Sequence, residues 1–165
     1  NESTLLRKYI KQEDVEKYVS GEYNAVIGYI SRVEDYNDVG NFKDIFETFR
    51  LNYKGTPYHS IDKSYWKIEF NTISDDLERI NLDKTYGIEF GGGNVDENPC
   101  TRNGFTGAKN GKVIPEWNLK EGIGYDKALI TKIENGKIVE QYRYVQKENL
   151  WRKIKWQKRK KQMLR

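Results

Sequence analysis

The sequence predicts an α+β domain with a mostly antiparallel sheet and helices packed on it. Three observations carry that expectation. The elements read from the chain run helix, strand, helix, strand, a long loop, then several strands. Two apolar runs, residues 127–133 and 137–145, meet at Asn135-Gly136, the favoured pair for a two-residue type I′ hairpin turn. Aromatic residues make up 13% of the chain, far from the aromatic-poor composition of disordered segments.

Residues 4–20 have a helical pattern, with Leu5, Leu6, Ile10, Val15 and Val19 recurring and Ser20-Gly21 as the stop. Residues 25–31, AVIGYIS, form an apolar run bounded by polar residues, read as a buried strand that ends at Arg32. Asn41 is placed to cap a second helix bearing Phe42, Ile45, Phe46 and Phe49 on one face. After a Gly55-Thr56-Pro57 turn, Trp66, Ile68 and Phe70 alternate with Lys67 and Glu69, the pattern of a half-buried strand. Ser74-Asp75-Asp76 is read as the cap of a short helical turn. Residues 91–111 hold six glycines and one proline and are read as mostly loop. Loops of that length inside a domain are uncommon and usually functional. Residues 113–119 are expected to be a strand, followed by the hairpin. From Glu148 the pattern turns helical, through Leu150, Trp151 and Ile154, into a basic tail.

The 165 residues and 19.5 kDa are those of one domain, able to bury about two-thirds of the surface its unfolded chain would expose. Charged residues are 33% and mean hydropathy is -0.91. No apolar run approaches the roughly 20 residues of a membrane span, and no signal-peptide core is present. A single Cys and a single His exclude an internal disulfide and the usual Cys/His zinc site. Charge is unevenly placed. Residues 152–165 hold eight of the 29 Lys/Arg and no acid, leaving 21 basic and 25 acidic residues in the first 151. The expected organisation is one catalytic-type domain over residues 1–151 and a basic tail over 152–165. The net charge of +4 is therefore weak evidence for a nucleic-acid face on the fold itself, although the tail keeps nucleic acid open as a partner. The Asn1 start is read as that of a piece of a longer protein.

Phosphate-loop, dinucleotide-fold, zincin, serine-hydrolase and EF-hand motifs are absent. His59 stands in a loop, TPYHS, and Cys100 in the glycine-rich segment with no His beside it; each reads first as an ordinary loop residue. Arg32 ends an apolar strand, where its planar fork is either a solvated cap or a clamp for phosphate or carboxylate. Glu116 lies between apolar neighbours in VIPEWNL, directly after the long loop. It is either a rim carboxylate paired with a lysine or a catalytic acid or base, with Trp117 on the opposite face.

The series GYISR, YWKIEFNT and NPCTRNGFTG…VIPEWNL resembles the ADP-ribosyltransferase-like toxin domains of bacterial polymorphic and contact-dependent toxins, over about residues 21–145. The resemblance implies a split-sheet version of the α+β fold and NAD as substrate. It implies that Arg32 holds the NAD phosphates, that the Thr72 hydroxyl (or Ser74) supports the site, and that Glu116 is the catalytic carboxylate. Glu116 would be entered from a substrate-recognition loop, here Asn103-Gly104-Phe105-Thr106-Gly107. The family often has Glu or Gln two residues before the catalytic Glu. Ile114 stands there in this chain, which opens NAD hydrolysis beside transfer to an acceptor. The second motif also departs, with Asn71-Thr72 where a run of small hydroxyl residues is usual. Tyr29, Phe70 and Phe105 are the rings available to stack on nicotinamide. An unknown acceptor, a cognate immunity protein and delivery into a target-cell cytoplasm are further implications. A ribonuclease toxin using His59 and basic residues, and a non-catalytic binding module, remain the alternatives.

Overall fold

The computed structural model describes residues 4–73, 110, 112 and 114–155. The Ser74 turn, nearly all of the glycine-rich loop with Cys100 and Phe105, and the tail beyond Lys155 lie outside the described residues. The described elements are β1 (Leu6–Ile10), α1 (Gln12–Val19), β2 (Val26–Arg32), α2 (Phe42–Thr48), β3 (Ser64–Thr72), β4 (Trp117–Ile123), β5 (Tyr125–Glu134), β6 (Lys137–Val145) and β7 (Leu150–Lys153). The strands make one sheet in the order β4-β2-β1-β3-β5-β6-β7, with each neighbouring pair antiparallel. The α+β, mostly antiparallel architecture is thus as expected.

The faces of the sheet follow from strand periodicity. Leu6 and Ile10 of β1 and Trp66, Ile68 and Phe70 of β3 point to the side covered by α1, where Val15 and Tyr18 complete a core that includes Trp117, Ile130 and Trp151. Tyr9 and Tyr65 point to the other side and pack with Phe42 and Ile45 of α2. Asn41 caps α2 as expected, its side-chain oxygen accepting from the Asp44 amide at 3.1 Å. The hairpin is also as expected. Asn135 and Gly136 have φ of 50° and 77°, the two left-handed residues a type I′ turn requires.

Three elements differ from expectation. Residues 6–10 are a strand, paired with β3 over five positions, and only Gln12–Val19 is helical. Leu6 and Ile10 are four apart, a spacing that returns to the same face in both a strand and a helix, so the apolar pattern did not separate the two. The same ambiguity at Leu150 and Ile154 hid β7. After a 3-10 turn at Gln146–Glu148, Asn149 takes φ 51° and the chain returns as an edge strand on β6. Trp151 anchors it against Tyr125, Tyr144 and Tyr18, with ring centroids 5.6, 5.5 and 6.4 Å away. Arg152 and Lys153, grouped with the tail by charge, belong to this strand. The strand expected over residues 113–119 begins instead at Trp117, so Glu116 sits immediately before β4 rather than within it.

Candidate active site

The joint between β1 and β2 creates the site. These strands pair only at Leu6–Arg32 and Arg7–Ser31. Beyond that point β2 follows β4, with a register shift between Val26 and Gly28, while β1 follows β3. The Lys8 ammonium bridges the gap by donating to the Ile27 carbonyl, where a ladder bond would otherwise run. Gly28 makes room for it. Its φ is 96°, and a Cβ there would lie 3.1 Å from Lys8 Nζ. Gly28→Ala should therefore destabilise the fold by about 1–2 kcal/mol, since an L side chain is strained at positive φ. It should also displace Lys8. Denaturant titration of the variant checks this, and wild-type stability would contradict it.

A cavity of about 430 Å³ occupies the opening. That is within the range of small-molecule sites. Arg7, Lys8 and Tyr9 line it from β1, and Gly28 to Ser31 from β2. Phe49, Arg50 and Leu51 close it from the end of α2, with Tyr53, Tyr58 and Glu116 completing the wall. The lining is largely aromatic and apolar, with three cations and one carboxyl group set into it.

Glu116 is 8% exposed. The sequence left it between a rim carboxylate and a catalytic group; the structure buries it. Burial pushes its pKa up to about 8, against the opposing pull of the Arg50 guanidinium. A carboxyl group that changes charge near neutral pH in a cavity has the properties of a catalytic acid or base. Trp117 follows it into the core on the α1 side, fully buried, as the alternation predicted.

Arg50 has φ 50°, a left-handed conformation uncommon for a residue other than glycine. It follows directly on Phe49, the C-cap of α2, and the Arg50 amide still bonds to the Glu47 carbonyl at 3.3 Å. Its side chain is 7% exposed and joins the cavity wall. Burial pushes the Lys8 ammonium pKa down, with Asp14 opposing. Tyr9 donates to Asp38 Oδ2 at 3.0 Å and is held neutral by its burial.

Of the residues singled out from sequence, Glu116 and Tyr29 meet at this cavity. Arg32 and Thr72 are placed elsewhere. Arg32 grips Asp35 with both arms of its fork, at 2.7 and 3.1 Å, and stacks over Trp117 with the ring centroid 5.5 Å away. Thr72 is buried at the end of β3 and donates to the Gly124 carbonyl at 2.9 Å. His59 is exposed in its loop, its backbone amide bonded to Asp62 Oδ2 at 3.0 Å. Phe70 is fully buried in the core. Arg7, Lys8 and Arg50 escaped the sequence reading. A charge set among apolar residues in LLRKYI is the signal that picked out Glu116, and it would have served for Arg7.

Among the described residues, no helix is long and apolar enough to cross a membrane, and no cluster of His, Cys, Asp and Glu could hold a metal ion. The chain matches no family model, no curated protein and no solved structure.

Proposed function

We propose that the chain cleaves the nicotinamide–ribose bond of NAD and passes ADP-ribose to an acceptor or to water. The observation that carries this reading is the buried carboxyl of Glu116, set opposite Tyr29 and beside Arg50 in a cavity at the divergence of β1 and β2. When the bond between ribose C1′ and the nicotinamide nitrogen breaks, the electron pair leaves with neutral nicotinamide. The ribose is left as an oxocarbenium-like centre. A fixed carboxylate stabilises that developing positive charge, as in glycoside cleavage. Water or the acceptor then adds to C1′ and gives up its proton. In the empty cavity the Glu116 carboxyl is largely protonated at neutral pH, but the nicotinamide ring of NAD carries a positive charge, and its arrival favours the ionised form. The cavity takes one nucleotide half of the dinucleotide, with Tyr29 and its aromatic neighbours to face the ring.

The resemblance to ADP-ribosyltransferase-like toxin domains agrees with this chemistry, with the split between β1 and β2 and with the position of Glu116 just before a strand. It also makes a delivered effector with a cognate immunity protein the biological setting we propose. The ribonuclease alternative is less well supported, because His59 is exposed and away from the cavity. A purely structural module gives no reason to hold an ionisable carboxyl out of water at a cost in stability.

Expression in a bacterial host tests the proposal. The wild-type domain should arrest growth while cellular NAD falls and total tRNA stays intact. Glu116→Gln should do neither. Degraded RNA with unchanged NAD would replace this reading with the ribonuclease one.

A further inference from the structure

We infer that the cavity contains a subsite for the phosphate groups of its ligand, built on the Arg7 guanidinium and not on Arg32. Arg7 occupies the last ladder pair before β1 and β2 part, and its side chain is 2% exposed. Two of its nitrogens are engaged. Nε faces Glu69 Oε2 at 3.3 Å, and Nη2 donates to the Tyr36 carbonyl at 2.9 Å. The third, Nη1, is buried and has no hydrogen-bond partner among the described residues. An idle buried donor is rare, because more than about 90% of such groups are paired. Here it belongs to a residue on the cavity wall. An acceptor oxygen on a bound ligand would complete it.

The charge around Arg7 points the same way. Asp38 and Glu69 are shared between Arg7 and Lys67, with Lys67 Nζ at 2.9 and 3.6 Å from the two carboxylates. Two cations and two carboxylates therefore balance. Arg50 and Lys8 remain as further basic groups on the same wall, and Glu116 is the carboxyl that faces them. An anion suits this end of the cavity. Arg32, by contrast, already holds a carboxylate in the bidentate geometry that a phosphate would need. Which phosphates bind rests on the NAD reading; that an anion binds does not.

The test uses inorganic pyrophosphate as probe, with malonate as a carboxylate control. Titrating the wild-type domain should move the Arg7 Nε–H resonance in arginine-resolved nitrogen spectra and leave that of Arg32 in place, a measurement that needs no variant. Arg7→Lys keeps the positive charge among Asp38 and Glu69 but loses the fork. By calorimetry it should bind pyrophosphate about 10-fold or more weakly, as expected for a lost charge-assisted hydrogen bond. Arg32→Gln should bind as wild type. Pyrophosphate that fails to bind, binds Arg7→Lys unchanged, is lost in Arg32→Gln, or binds no better than malonate overturns the assignment. The two proposals fail separately. Pyrophosphate held by Arg7 in a protein that leaves NAD intact keeps the subsite and removes the NAD reading. NAD consumed by Arg7→Lys at wild-type KM removes the subsite and keeps the NAD reading.

Discussion

Glu116→Gln is expected to abolish most NAD turnover and to stabilise the fold in the same stroke. The variant keeps the size and the hydrogen-bonding capacity of the side chain but removes its charge. Losing one well-aimed electrostatic group costs about 10²–10³ in rate. The stability effect has the opposite sign. The group has a pKa of about 8 in the fold against 4.5 when solvated. Between those values the folded state holds a proton that the unfolded state has released, so stability falls as pH rises through this window and stays low above it. The penalty above pH 8 is on the order of 4 kcal/mol, and glutamine does not incur it. The variant should therefore melt roughly 5–15 °C higher than wild type at pH 9, and at nearly the same temperature at pH 5. Equal melting temperatures at both pH values would show that Glu116 is solvated, as a rim carboxylate would be.

Arg50→Asn is expected to move the pH dependence of the reaction upward. Asparagine tolerates the left-handed backbone at this position better than most residues, so the substitution removes the charge with little change in backbone strain. The Arg50 guanidinium is what opposes the burial of Glu116. Without it the carboxyl ionises at higher pH. If the ionised form is the active one, kcat/KM for NAD in the wild type rises with pH through about 8. In the variant the rise should come later. Each further unit of pKa removes roughly 10-fold of the ionised enzyme at pH 7. A kcat/KM that instead falls above pH 8 would make Glu116 a proton donor. An unmoved profile in Arg50→Asn would separate the two residues.

What could be read from the sequence was local. The Asn41 cap, the Asn135-Gly136 turn and the alternation from Trp66 to Phe70 are set by neighbours in the chain, and each took the form expected. The misread elements, β1 and β7, carry apolar residues four apart, which serve strand and helix alike. Long-range pairing with β3 and β6 decided between them. The site divides in the same way. Glu116 stood out as a charge between apolar residues, and Tyr29 lay on a recognisable strand. Arg50 had no local signal, because its place on the wall depends on the left-handed step that ends α2. Arg7 reaches the cavity only because β1 and β2 pair for two residues and then part. That separation is a property of four strands together. Arg32 looked like an anion clamp until Asp35, three residues on, proved to be its anion.

The most direct test is release of nicotinamide from NAD by the purified wild-type domain at pH 8.5, followed by chromatography, with and without a cell extract as a source of acceptor. Nicotinamide should accumulate well beyond one equivalent of protein, and ADP-ribose should appear free or attached to a component of the extract. NAD that remains intact under both conditions, with a folded protein in the cuvette, would contradict cleavage of the nicotinamide–ribose bond at this cavity.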